Sequence, residues 1–229
     1  MEIKIYQNYY LPEQRAHLDP AFVPYDNIEN KEPELREYPI LKKLQQMHKD
    51  DDLWWGLTSW RWEEKTRTPG KLFIDKIVQN SGHDVYHLNY DIVSANKSRN
   101  IFVQGDMHHK GMIKYFERLC QVAQFNVNVH KEYDKKYFIT CHNYVLHSSM
   151  WNKWIAFLDF CIEISKKDDQ LNNYLYIETS VRYKKAIPNF SFVVERLIAL
   201  FSIVYELRVM SLMLITDSRS HVPNRLRPK

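Results

Sequence analysis

Apolar and polar residues alternate from Ile3 to Gln7, a period of two that predicts a half-buried first strand. From Asn8 to Pro39 the periodicity disappears, and Pro20, Pro24, Pro33 and Pro39 punctuate a stretch rich in Asp, Asn and Glu. That is a long loop, ordered by Phe22, Tyr25 and Tyr38. Helical spacing appears at Ile40 to His48, with Ile40, Leu41, Leu44 and Met47 on one face. Trp54 to Trp62 reads as a strand with a Trp-rich face. Thr68-Pro69-Gly70 then opens a helix from Lys71 to Gln79, its apolar side formed by Leu72, Phe73, Ile77 and Val78. A turn at Ser81-Gly82 leads into a short strand from Asp84 to Leu88.

In the second half, Ile101 to Val103 reads as a short strand and Gly111 to Phe125 as a helix. Tyr137 to Val145 reads as a strand, and Ser148 to Ser165 as a helix carrying Trp151, Trp154, Ile155, Leu158 and Cys161. The last helix begins near Asn189, with Ser191 as its expected N-cap. Leu197 to Ile215 is apolar but broken by Glu206 and Arg208, so it is read as a core helix and no transmembrane segment is expected. Strands alternating with helices predict an α/β fold, a mixed sheet flanked by helices on both faces, in one domain over residues 1–229 with a basic tail from about residue 217.

Composition narrows the function. The chain has 229 residues, 45% hydrophobic and 26% charged, the balance of an ordinary globular protein. Gly is scarce, at five, and neither GxxxxGK[ST] nor GxGxxG occurs, which argues against ATP or NAD held by such loops. A net charge of +4, with Lys and acids interleaved, lacks the dense basic stripe of a nucleic-acid binder. Cys120, Cys141 and Cys161 are odd in number and set among apolar neighbours, so reduced thiols and a cytoplasmic location are expected. The chain opens directly into a strand-like segment, so no secretory leader is expected.

In open α/β sheets ligands collect at the carboxyl ends of strands. There the expected map gathers Gln7, Asn8, Tyr9 and Tyr10, then Glu63 and Glu64, then Asn89 and Asp91. Gln104, Asp106, His108 and His109 follow, with His142 and Asn143 at the next strand. Asn89-Tyr90-Asp91 is a degenerate Asp-X-Asp, the pattern that lets a divalent cation bridge protein and diphosphate; Asp91 is the metal candidate, or simply a loop residue. Tyr6, Tyr9 and Trp55 could stack on a base or serve the core. Asp106 with His108 and His109 has the ligand types of a metal site but not the spacing. Glu195, beside Arg196 on an apolar helix, is a structural ion pair or a poised acid/base.

Further segments carry a resemblance. Lys4-Ile5-Tyr6-Gln7, Leu18 to Asn27, Glu34-Leu35-Arg36-Glu37-Tyr38-Pro39 and Trp55 to Trp60 resemble a group of small glycosyltransferases of bacterial surface-polysaccharide clusters and large algal viruses. Asp84-Val85-Tyr86, Gln104 to His108, Cys141 to Tyr144 and Val194 to Leu197 fit the same pattern, from the first strand to about residue 200. The resemblance implies a GT-A-like fold and a nucleotide-diphosphate sugar, UDP- or GDP-linked, as donor. It implies Mn²⁺ or Mg²⁺ at Asp91, with Asn89 replacing the first acid. Donor contacts are then expected from Tyr6, Gln7, Tyr9, Trp55, Asn89, Asp91 and His108. Glu195 or Asp106 would accept the proton of a glycan or glycoprotein hydroxyl, in the host cytoplasm if the chain is viral. Two other readings stand beside it: a carbohydrate-binding module of the same fold, and a metal-dependent hydrolase using Asp106, His108 and His109.

Overall fold

The computed structural model describes residues 1–89, 92–179 and 187–212. In chain order the elements are β1 (Ile3–Tyr9), β2 (Val23–Asp26), α1 (Tyr38–His48), β3 (Trp54–Ser59), α2 (Trp62–Thr66) and α3 (Gly70–Gln79). Then come β4 (Val85–His87), α4 (Ile92–Lys97), α5 (Ile101–His108), α6 (Met112–Val122), β5 (Tyr144–His147) and α7 (Ser148–Lys167). The chain closes with α8 (Asp169–Tyr176), β6 (Glu178–Thr179), β7 (Ile187–Pro188), α9 (Asn189–Val204) and β8 (Val209–Ser211). The loop expected between Asn8 and Pro39 also holds two short 3₁₀ turns, Pro12–His17 and Pro33–Leu35, beside β2.

Six strands form one sheet in the order β2-β1-β3-β5-β4-β8. Every neighbouring pair is parallel except those of β5, which runs opposite to β3 and β4 between them. Side chains alternate between two faces, as the pleat requires. Tyr6, Trp55, Leu57, Val85, Tyr144 and Leu146 enter the larger core with α1, α5, α6, α7, α8 and α9. Ile5, Tyr86 and Val145 enter the smaller one with Phe22, Trp62 and the α3 residues Phe73 and Ile77. The expected helices on both faces are present. Trp55 and Trp151 stack at 3.8 Å between ring centres, 9° from parallel, and fix α7 across β3 and β5.

Five expectations fail locally. Ile101 to Val103 is not a strand but the first turn of α5, because the Asn100 side chain accepts the Val103 N–H at 2.8 Å and caps a helix there. The apolar run from Leu197 is not one helix. α9 ends at Val204, Glu206 turns left-handed at φ 50°, and the Leu207 N–H returns to the Ser202 carbonyl at 2.9 Å, so that Val209 can enter the sheet beside β4. Ser191 is not the cap: Pro188 holds that position and the Ser191 hydroxyl donates back to its carbonyl. Trp62 lies on α2 rather than on the strand, and the strand expected from Tyr137 begins only at Tyr144. Among the described helices none is long and apolar enough to cross a membrane.

Candidate functional site

The parallel strands deliver Asn8, Ser59 and, two residues past β4, Asn89 to one edge of the sheet. The reversed β5 delivers its beginning there instead, so His142 and Asn143 join them. Asn8 lies opposite Ser59 in the register of β1 and β3. The Thr58 hydroxyl donates to Asn143 Oδ1 at 2.7 Å, and the Asn143 carbonyl accepts the Leu88 N–H at 3.1 Å, which ties β3, β5 and β4 together at this point. Two amide atoms remain without partners although their residues are only 5% exposed: Asn8 Oδ1 and Asn143 Nδ2. Buried polar atoms are almost always satisfied, and although Trp55, His87 and His109 also carry unpartnered atoms elsewhere, these two amides stand where a ligand could meet them.

Charge gathers beside them. Glu195 projects from the second turn of α9, an otherwise apolar helix whose Val193, Val194, Leu197 and Ile198 are buried. Its side chain keeps 26% of its accessible surface, so the carboxylate is enclosed by protein yet open to solvent on one side. Burial raises its pKa above the ordinary carboxylate value; Glu37 pushes the same way, while Arg196, His142 and Lys65 oppose. Arg196 does not neutralise it at contact distance. Its nearest nitrogen is 3.9 Å from Glu195, while the guanidinium donates to the Phe192 carbonyl and to Gln104 Oε1, each at 2.9 Å. Glu37, at the amino end of α1 and likewise 26% exposed, lies 3.9 Å from His142 Nε2. Glu37 and His142 are therefore neighbours at the strand-end edge, and the charges of both, with a smaller one from Lys65, act on Glu195. The Glu195 carboxyl has the attributes of an acid/base group: access, a raised pKa and fixed neighbours.

The other expected residues are distributed unevenly. Gln7 sits at this edge, but its amide holds the loops, donating to the Ser59 and Trp60 carbonyls and accepting the Asp19 N–H at 2.7 Å. Tyr9, 4% exposed, donates to Asp26 at 2.9 Å. Tyr6 points into the larger core, its hydroxyl 2.5 Å from His48 Nε2. Trp55 is fully buried under Trp151 and has no face to offer a base. Asn89 is buried at the end of β4. Asp91 lies outside the described residues.

Asp106 and His108 lie on α5 rather than after a strand. One Asp106 oxygen accepts the N–H groups of Gly111 and Ile113, at 2.9 and 3.1 Å, and so caps α6. That engagement is structural, and it leaves Glu195 the less engaged of the two carboxylates. His109 is buried, stacked on Phe192 at 3.7 Å, with a pKa lowered to about 4 by burial and by Arg196 and His108. Among the described residues, no group of three or more His, Cys, Asp or Glu is arranged to hold a metal ion. Asn89 contributes only an amide, so the described donors do not make a divalent-cation site without Asp91. A cavity of about 280 Å³ opens elsewhere, beside α6 and lined by Glu117, Cys120, Phe125 and His130; it holds none of the strand-end residues.

Two members of the cluster escaped the sequence. Glu37 belongs to a proline-flanked helix start, and nothing in its neighbourhood announces that α1 aims its amino end at β5. Lys65 falls in a charged stretch after the expected Trp-rich strand and carries no site pattern of its own. Comparisons of the chain with protein-family models, with curated proteins and with solved structures give no match to any of them.

Proposed function

We propose that the chain is a glycosyltransferase that moves a sugar from a nucleotide-diphosphate donor to a hydroxyl of a glycan or glycoprotein, with Glu195 as the proton acceptor. The observation that carries this reading is Glu195 itself: a half-open carboxylate of raised pKa at the strand-end edge of a mixed, helix-flanked sheet. The sheet is compatible with a GT-A-like fold, in which a donor would lie across that edge.

The chemistry balances as a single displacement. The acceptor oxygen bonds to the anomeric carbon, and its proton passes to Glu195, which must approach within about 3 Å. The bond from that carbon to the diphosphate breaks, and the electron pair leaves with the nucleoside diphosphate. Lys65, on α2 shortly after β3, would supply positive charge toward that anion. Asn8 and Asn143 offer a bare acceptor and a bare donor for the polar groups of a ligand. Asp91 is the residue the resemblance assigns to Mn²⁺ or Mg²⁺.

Thermal unfolding against UDP, GDP and their sugars, with and without Mn²⁺, tests the reading. A ligand that binds only the folded state adds about 2.7 kcal/mol at a hundredfold excess over its Kd. A shift with one base, its metal-dependent part lost in Asp91→Ala, supports the transferase. No shift with any nucleotide refutes it and favours a carbohydrate-binding module.

A further inference from the structure

We propose that the cavity beside α6 is a second sugar-binding site, separate from the strand-end edge, and that it seats one neutral pyranose unit of a glycan whose next unit lies on Phe160.

The cavity exists because a loop arches over the last turns of α6. Gln124, at φ 57°, turns the chain off the helix, and the Phe125 N–H then bonds to the Cys120 carbonyl at 2.9 Å. The far end of the arch is tied twice. Asn100 Nδ2 donates to the Val129 and Lys131 carbonyls, each at 2.7 Å, and His130 Nε2 meets Glu117 Oε1 at 2.5 Å. Between these ends lie about 280 Å³, with Glu117, Cys120 and Gln121 on the helix side and Phe125, Asn128 and His130 on the loop side. That is just below the range of pockets for drug-sized ligands, and it suits a single ring with its substituents.

The lining selects the ligand. Arg118 Nη1 can only donate, so the Gln121 atom that meets it at 2.9 Å is the carbonyl oxygen Oε1. The His130 backbone N–H likewise holds Asn128 Oδ1 toward itself, at 2.9 Å. Both amides are therefore oriented, and each keeps an NH₂ group with no partner among the described residues. Glu117 commits one oxygen to His130 and keeps Oε2. Two donors and an acceptor thus belong to the lining, with the Phe125 ring as its aromatic wall. Hydroxyl groups match that set, since each accepts from an amide and donates to a carboxylate. The C–H face of a pyranose covers the aromatic ring.

Other ligand classes fit less well. The charged residues of the lining, Glu117 and His130, pair with each other, and no Lys or Arg stands among them to hold an anion. An apolar ligand would strip water from two amides and return no bond, at about 1–3 kcal/mol for each. A glycan also has a way to continue. Phe160 on α7 is 47% exposed and stands 6.1 Å from Phe125 between ring centres, so it offers a ring to the next sugar. Phe157 backs Phe125 at 5.3 Å, 21° from parallel, and keeps that ring in place. None of these residues belongs to the strand-end edge, so the site stands whether or not Glu195 takes a proton.

Saturation-transfer NMR and calorimetry on the full chain test this with the methyl glycosides of glucose, mannose, galactose and N-acetylglucosamine, and with maltose and cellobiose. Binding of at least one monosaccharide glycoside is expected, and tighter binding of a disaccharide. Gln121→Ala combined with Asn128→Ala, both at exposed positions, should weaken it about tenfold or more, because two hydrogen bonds are lost. Phe160→Ala should remove the advantage of the disaccharide and leave the monosaccharide unchanged. A glycoside whose binding survives the double variant sits elsewhere and overturns the site, as does the failure of every glycoside to bind. Uridine and inorganic phosphate are run beside the sugars. If either binds and is lost in the double variant while no glycoside binds, the cavity takes another ligand and the sugar assignment fails. Equal affinity for monosaccharide and disaccharide in the wild type overturns the part played by Phe160.

Discussion

Gly105 allows Arg196 to pass. It lies inside α5, where glycine ordinarily costs a helix roughly 0.5–1 kcal/mol against alanine, so propensity alone predicts that Gly105→Ala stabilises. The packing predicts the opposite. A Cβ at this position would stand 2.4 Å from Met112 Sδ and 2.6 Å from Arg196 Nε. Met112 has a flexible end, although it is fully buried. Arg196 cannot yield so easily, being 6% exposed and pinned by its bonds to the Phe192 carbonyl and Gln104 Oε1. Overpacking of this kind costs about 1–3 kcal/mol, and losing one charged hydrogen bond about 1.5–3 kcal/mol. Arg196 either stays and is overpacked or moves and loses a bond, so against a helix gain near 1 kcal/mol Gly105→Ala should lose about 0.5–2 kcal/mol net. For a chain of this size that lowers Tm by a few degrees. Urea unfolding of the two proteins under identical buffer measures it directly. Equal or greater stability in the variant would show that Arg196 is free to move, and that the anchoring of the α9 turn next to Glu195 is not what this packing implies.

Glu195→Gln should cut transfer by about 10²–10⁴-fold while leaving donor binding intact. Because the fold raises the Glu195 pKa, the wild type has its relative advantage below the ordinary carboxylate range and loses it as pH rises through the raised value. The Gln variant should therefore be the more stable protein at neutral pH, with the gap closing in acid; unfolding curves across that range check the sign. Trp151→Ala removes the stack on Trp55 and the 2.7 Å bond to the Trp55 carbonyl, so a loss of about 3–5 kcal/mol is expected in guanidinium. A loss below about 1 kcal/mol would show that α7 is held by other contacts. His87 and His109 are both lowered to about 4, chiefly by burial, so each should stay neutral in the fold above that value. Stability tied to them is complete above the ordinary value of 6.5 and is lost as pH falls toward 4, and NMR titration of either ring near 6.5 would refute the burial argument.

The elements that were legible are those whose own residues decide them. Met112 to Val122 shows the helical period because Met112, Tyr115, Phe116 and Leu119 all face the core. Ile3 to Tyr9 alternates because its two faces serve different layers. Ile101-Phe102-Val103 has strand composition, and one side chain overrules it. Asn100 caps Val103 and also donates to the Val129 and Lys131 carbonyls, each at 2.7 Å, so the helix start is fixed by residues some thirty positions away. The apolar run after Leu197 misleads for a similar reason: the sheet needs a strand beside β4, and only that long-range pairing says where the helix must stop.

The site divides along the same line. Glu195 was legible because a Glu–Arg pair set among apolar residues of one helix is expensive unless it is used or mutually satisfied, a conflict visible from Val193 to Ile198. Glu37 was not, since no local pattern makes it unusual, and His142 was expected at a strand end but stands just before β5. They meet because β5 runs against its neighbours. A parallel strand in that slot would present its carboxyl end, after His147, to the edge; the reversed strand presents its start instead, and His142 arrives with Tyr144 and Trp154 behind it. The one antiparallel strand of the sheet is thus the feature that converts an isolated acid into a group of polar residues. Its direction is set by α7, which leaves β5 at Ser148 and packs back under β3 through Trp151. The stack that stabilises the core also determines which residues face Glu195.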